Sequence, residues 1–246
     1  RRSRVRPLMA AEFVHLHVHS EFSMLDGAIR IPQLVENVGK MGMPAVALTD
    51  NGNMFGAVQL VRACHGTDVK PILGCEVNFT GSDRRDPQNR ELNHLLLLAA
   101  SQEGYQNLVR LVSAGWVDGM AVDDHPRIDF EVLQRHSKGI VGLSACMGGH
   151  VAQEILNKGP EFGSDALAQL RDSFEPGNFF VELQDHGFPE NRPLNQVLTS
   201  LAKDLALPLV ATNVCHYLER QSAHAQLVLQ CIGAGRSVRE MEAVHH

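Results

Sequence analysis

The chain has 246 residues, 44% of them hydrophobic, and a formal net charge of −6. That length carries one large α/β domain or two small ones, with a core that needs no disulfides. No apolar run approaches the roughly 18 residues of a membrane span, and the acidic balance argues against a wide basic face that grips duplex DNA while suiting a pocket for divalent cations.

Five cysteines at scattered spacings, with no CxxC pair, argue against a disulfide framework and a zinc ribbon, and read as a reduced, cytoplasmic chain. Arg1 to Arg6 are basic with no hydrophobic stretch behind them, so they are not a secretory signal. Met9 is the expected native start, with residues 1–8 a cloning remnant or flexible arm. One domain is expected over residues 9–238, then a tail over 239–246 whose closing His245 and His246 read as the stub of a tag.

In chain order, the first expected strand is Phe13–Val18. A helix follows with Leu34, Val35, Val38 and Met41 on one face. Next come a strand Ala45–Thr49, a helix Met54–Cys64 and a strand Lys70–Val77. Gly81–Arg90 is charged and carries Gly and Pro, which predicts a surface loop, as does the composition of Met120–Arg127. Between these lie a strand His94–Ala99 and a helix Gly104–Ala114. Beyond them come a strand Gly139–Leu143, helices Val151–Leu156 and Asp165–Phe174, a strand Phe179–Leu183, a helix Asn191–Leu205, a strand Pro208–Thr212 and a helix Gln221–Cys231. Seven alternations of strand and helix predict a parallel sheet covered by helices. No GxGxxG follows the first strand, and polar residues cluster after nearly every strand. Closure into a barrel with a polar mouth is therefore preferred to an open sheet.

Thirteen histidines are many for this length, and three of them carry the main clue. His15, His17 and His19 alternate along the first strand, so all three face one side. Such a row is easier to hold neutral and metal-bound than protonated, the alternative being a solvated or hydrogen-bonded stripe. Glu76 stands inside the apolar run Pro71–Val77, where a carboxylate is costly unless paired or metal-bound. Asp26 before Gly27, taken alone, reads first as a turn aspartate, while His94 and His216 could equally be satisfied core histidines and Cys146 a small buried hydrophobe. Taken together, the candidates His17, His19, Asp26, Glu76, His94, Cys146 and His216 come from several strand ends, which is how a barrel-mouth site is built. Mixed imidazole, carboxylate and thiolate donors suit zinc, with manganese or iron as alternatives. There are too many donors for one tetrahedral ion. Two or three ions sharing Glu76 would serve phosphoester hydrolysis.

The stretches HLHVHSEFSMLDGA from His15, KPILGCEV from Lys70, HLLLLAASQEGYQNLVRLVSAG from His94, GIVGLSACMGG from Gly139 and ATNVCHYL from Ala211 strongly resemble the opening of bacterial DNA polymerase III alpha subunits. That opening is a PHP (polymerase and histidinol phosphatase) domain, and the likeness runs from Ala11 to about Arg236. The resemblance implies a distorted seven-stranded (β/α)7 barrel with a site for up to three metals. It implies one ion on His17, His19 and Glu76, a second on Glu76, His94 and Cys146, and a third on Asp26 and His216. It also implies partnership with the remaining domains of the polymerase, with replisome subunits, and with a DNA 3′ end where the site works as a 3′→5′ exonuclease. In some members of this family the site has lost ligands and the domain is structural.

Two positions depart from the family's metal-binding pattern. Asn51 stands in Thr49-Asp50-Asn51-Gly52-Asn53 where that pattern has His, and Val214 stands where it has Asp. The resemblance therefore implies a weak or structural site with incomplete metal occupancy, in a fragment without the polymerase carboxylates. A stand-alone phosphatase of the histidinol-phosphate type is the alternative, and the block following His94 speaks against it.

Overall fold

The computed structural model describes residues 13–120 and 125–242. Its elements are, in order, β1 (His17–Val18), α1 (Ile31–Lys40), β2 (Ala45–Leu48), α2 (Ala57–Cys64), β3 (Lys70–Phe79), β4 (Asn93–Ala99) and α3 (Gln102–Asp118). There follow β5 (Arg127–Ile128), α4 (Phe130–His136), β6 (Ile140–Leu143), α5 (His150–Lys158), α6 (Pro160–Ser173), β7 (Phe179–Leu183), α7 (Asn191–Asp204), β8 (Leu209–Ala211), β9 (Val214–Cys215), α8 (Ala223–Ala234) and α9 (Val238–Glu242). No helix among the described residues is long and apolar enough to cross a membrane.

The main sheet has the order β2-β3-β4-β6-β7-β8, with β5 beside the end of β3. β1 pairs in parallel with β9 and meets β2 through the His15–Val46 bridge and a hydrogen bond from Thr49 N to Val18 O at 2.9 Å. β9 follows β8 after two residues, so the sheet curls round into a distorted (β/α)7-type barrel. Ala47, Ile72, Leu96, Leu143 and Phe180 come from five strands and, with Leu16 just before β1, form one apolar cluster. They fill the barrel interior and close it beneath the mouth.

The expected all-parallel arrangement is corrected at one strand. β4 runs antiparallel to both β3 and β6, whereas the β2–β3, β6–β7 and β7–β8 pairs are parallel. No helix separates β3 from β4, and a loop without a crossover helix returns the chain antiparallel. The consequence reaches the site. The first residues of β4 lie at the same end of the barrel as the last residues of its neighbours.

Both predicted surface loops also bury charge. In Gly81–Arg90, Arg84 and Asn89 are buried, and Arg84 Nη1 donates to both carboxylate oxygens of Asp129 at 3.0 Å. The carboxylate of Asp129 also accepts Val132 N and caps α4. In Met120–Arg127, residues 121–124 lie outside the described set. Arg127 is buried in β5 and donates to Asn89 O at 2.8 Å. Of the α1 stripe, Leu34, Val35 and Val38 are buried, while Met41 is the exposed C-terminal cap. The expected tail begins inside α9, where Ser237 and Glu240 bond each other's backbone N–H groups at 3.4 and 2.7 Å, a capping box. The expected arm over 1–8 and the tag stub lie outside the described residues.

α3 starts at Ser101, whose hydroxyl accepts Gly104 N at 3.0 Å, and its first turn lies against the bend that leads into β6. A Cβ on Gly104 would stand 1.8 Å from Gly139 O, a backbone atom that cannot step aside. Gly104→Ala is expected to cost about 1–3 kcal/mol by overpacking and to lower the melting temperature by roughly 3–10 °C. A thermal melt checks this, and an unchanged midpoint would show that α3 shifts freely at this point.

Candidate metal centre

His17 and His19 leave β1 toward the barrel mouth, and both are fully buried. The loop that follows is locked to the end of β2 by Asp50. Its carboxylate accepts Ser20 N at 2.6 Å, Ser20 Oγ at 2.8 Å and Ser23 Oγ at 2.7 Å. The same loop folds back so tightly at Gly27 that a Cβ there would lie 2.0 Å from Ser20 O. This fold-back delivers Asp26 beside His216, which follows β9. The distance from Asp26 Oδ2 to His216 Nδ1 is 3.2 Å.

Glu76 is the centre of the arrangement. One of its oxygens lies 2.6 Å from His17 Nε2 and 3.0 Å from His19 Nε2, and the other contacts His94 Nδ1. Cys146 Sγ lies 3.5 Å from the same His94 nitrogen. The antiparallel register explains the reach of His94: Glu76 opposes Leu96, and Asn78 opposes His94, so Glu76 and His94 are diagonal neighbours on one face. The rings of His19 and His216 stack in parallel with centroids 4.5 Å apart. Three groups of donor atoms result: His17, His19 and Glu76; Glu76, His94 and Cys146; and His19, Asp26 and His216. All seven expected ligand residues are thus brought together, and His19 and Glu76 each serve two groups.

The two altered positions are also at the site. Asn51 Nδ2 donates to Asp26 Oδ2 at 3.1 Å, so an amide N–H points where an imidazole lone pair would otherwise be offered. Val214 stands opposite His17 in the β1–β9 register. His15 belongs to none of the three groups. It precedes β1 and bridges Val46, and its Nδ1 lies 3.4 Å from Cys215 Sγ, so it turns to the side of Val46 and Cys215 and away from Glu76.

Electrostatics favour positive charge at His17 and His94 and negative charge at Glu76 and Asp26, whereas burial lowers the His19 pKa. Burial alone would raise the Glu76 pKa, but His17, His19 and His94 outweigh it and hold the carboxyl well below its usual range. Burial works against a proton on His17, yet Glu76 and Glu182 on its two sides hold its pKa well above that of an ordinary imidazole. His94 is raised to about 10: burial opposes this, and Cys146 and Glu76 prevail. Asp26 is lowered to about 2, because His216 and Gln230 outweigh burial.

Glu182 was not anticipated from the sequence. It is buried on β7 with Oε1 at 3.0 Å from His17 Nδ1. The signal was present, since Glu182 is a carboxylate inside the apolar strand Phe179–Leu183, the same feature that singled out Glu76. Asp50 and Gln230, which hold the third group in place, were not anticipated either. A fourth cluster, Glu91, His150 and Glu154, lies outside the mouth. Its Glu91 already accepts Thr80 Oγ1, Gly81 N and Asn93 Nδ2, and its Glu154 pairs with Lys158 at 2.9 Å. Those bonds account for it as a tie on the Gly81–Arg90 loop.

The donor atoms at the mouth fit a bound cation. His19 Nε2, Glu76 Oε1 and His216 Nδ1 are buried and make no aligned hydrogen bond, although each lies close to another donor atom of the site. Buried polar atoms are nearly always hydrogen-bonded. Lone pairs that converge without such bonds are what a metal ion takes up.

Comparison with known proteins agrees with this geometry. Residues 15–186 match the PHP domain family. The chain is 38% identical over 229 residues to a DNA polymerase III subunit alpha of Treponema pallidum, covering 92% of this chain and 19% of that protein. It is 43% identical over 235 residues to the Deinococcus radiodurans subunit, covering 90% of this chain and 17% of that one. The chain therefore spans about a fifth of the length of the curated relatives it matches. A crystal structure from Bifidobacterium adolescentis, assigned as a metal-dependent phosphoesterase, superposes with a TM-score of 0.53 at 14% identity, over 89% of this chain and 97% of that one. That similarity is one of fold. With the barrel, the converging donors and the family match in agreement, the chain belongs to the PHP domain family and is homologous to a region of the bacterial DNA polymerase III alpha subunits.

Proposed function

We propose that this chain is the PHP domain of a replicative DNA polymerase III alpha subunit, working in the cytoplasm, and that its barrel mouth binds divalent metal with incomplete occupancy, zinc first. The observation that carries the reading is Glu76, a buried carboxylate with His17 and His19 on one oxygen and His94, backed by Cys146, on the other. Thiolate with imidazole favours zinc over harder ions. His17, His19 and Glu76 would hold one ion, Glu76, His94 and Cys146 a second, and Asp26 with His216 a third. Bound divalent ions supply positive charge to phosphoryl oxygens and lower the pKa of water.

The chain's own residues set how far that chemistry goes. Glu76 gathers the first two groups, and the Asp50 network holds Asp26 against His216. Asn51 spends one Asp26 oxygen on an amide donor, and Val214 offers no donor beside His17. Two of the three groups are thereby weakened while Glu76, His94 and Cys146 remain. In this reading the substrate of any residual activity is a DNA 3′ end, the partners are the remaining domains of the polymerase and other replisome subunits, and the domain's main role is structural. Equilibrium dialysis against zinc tests it. Fewer than three tightly held ions per chain, with binding lost in Glu76→Ala, is expected. Three tight ions, or none, would overturn it.

A further inference from the structure

We infer that Glu182 is a positioning residue for this metal centre: it accepts the Nδ1–H of His17 and so selects the tautomer whose Nε2 lone pair faces the ion beside Glu76. The inference rests on the metal reading above and adds a residue to it.

The geometry is that of a carboxylate held rigidly for one purpose. Glu182 Oε1 lies 3.0 Å from His17 Nδ1. It also accepts Gln184 Nε2 at 2.7 Å and the Thr212 hydroxyl. Gln184 Nε2 in turn donates to Thr212 Oγ1 at 3.1 Å. The backbone of Glu182 is pinned as well, its N–H donating to Ser144 Oγ at 2.9 Å. Donors from the residue after β7 and from the residue after β8 thus converge on one oxygen, and that oxygen points at the ring nitrogen turned away from Glu76. The other oxygen, Oε2, is buried and has no hydrogen-bond partner among the described residues.

Stability gives no reason for this arrangement. Replacing a buried ionic group with a packed apolar one is often neutral or favourable, and the surrounding cluster is already Leu, Val and Phe. Ligand orientation does give a reason. A histidine ligand usually donates its second ring N–H to a carboxylate or carbonyl, which fixes its tautomer and ring angle and raises its basicity. His17 also has to stand between two acceptors only a ring apart. Without Glu182, the proton could sit on Nε2 and bond Glu76 at 2.6 Å, and that tautomer cannot bind metal through the same nitrogen.

The test uses zinc as the probe, titrated against a chromophoric chelator, together with the ring-nitrogen spectrum of ¹⁵N-histidine-labelled protein. Glu182→Ala is expected to weaken zinc binding by about 10–100-fold. Glu182→Gln, whose amide oxygen accepts the same bond, should restore most of that loss, which a merely structural role would not predict. Zinc-loaded wild type should show His17 protonated on Nδ1, and folded Glu182→Ala should lose that uniform tautomer. A folded Glu182→Ala that binds zinc as tightly as wild type overturns the inference. So does a zinc-loaded wild type whose His17 carries its proton on Nε2, a readout that needs no variant to fold. The wild-type titration separates the two readings, since a wild type that takes up no zinc overturns the metal reading as well.

Discussion

Asn51→His combined with Val214→Asp is expected to raise hydrolysis of a single-stranded 3′ end by about 10²–10³-fold, the scale of one well-placed charge-stabilising group in an active site. Asn51 Nδ2 donates to Asp26 Oδ2 at 3.1 Å, and an imidazole there would face Asp26 and His216 as a third donor instead of competing for the carboxylate. Val214 stands in register with His17, and residues paired in a ladder face the same side of the sheet. An aspartate at 214 would therefore project beside His17, toward the first donor group. Paired ions stabilise both the attacking and the leaving oxygen, so the double variant should exceed the sum of the singles, because residues that work as a unit are non-additive. The measurement is release of nucleotide from an end-labelled oligonucleotide, with and without chelator. Robust chelator-sensitive degradation by the unaltered chain would overturn the claim that these two residues weaken the site. So would a double variant that gains bound ions without gaining activity.

Removing metal is expected to lower stability by about 2.7 kcal/mol when the free ion stands at a hundredfold excess over its dissociation constant. For a chain of this size that corresponds to a melting temperature lower by roughly 5–10 °C. The reason is topological. Asp26 and His216 are separated by most of the chain, and Glu76 and Cys146 by more than a quarter of it. An ion bound by such residues binds only the closed barrel and ties its first strand to its last. Cys146→Ala removes the sulfur beside His94, so it should abolish most of the zinc-dependent increment while leaving the metal-free melt nearly unchanged. The core of Leu, Val, Ile and Phe keeps the fold intact in both cases. Identical melts with and without chelator, in the wild type and in Cys146→Ala, would mean that no ion is bound and that any structural role rests on the barrel alone.

Period and composition alone made much of this molecule legible. The spacing of His17 and His19 pointed both at one side, and both do meet Glu76, whereas His15, expected on the same face, precedes the two-residue β1 and turns to Val46 and Cys215. Glu76 stood out because burying a carboxylate in an apolar run needs compensation. Elements β2, β4, β6, β7 and α7 follow from local hydrophobic pattern, and the structure shifts their ends by no more than two residues. The short elements β5, β9, α4 and α9 were missed, since two to seven residues carry too little periodicity to register.

Tertiary structure decided the rest. Only the fold shows that β4 runs against its neighbours and so brings His94, the opening residue of its apolar run, to the mouth. It is the fold that divides the histidine row, keeping His17 and His19 on Glu76 and turning His15 to Val46 and Cys215. Gln230 on α8 reaches Asp26 at 3.0 Å across 204 residues, and Arg84 and Arg127 are buried in what read as surface loops. Glu182 carried the same local signal as Glu76, but its meaning lies in the His17 nitrogen it faces 165 residues away. The physical reason is common to all of these. Local pattern reports what a side chain costs to bury and which way it turns from its own backbone, whereas the partner that offsets that cost is chosen by strand direction and register, which are set by distant parts of the chain.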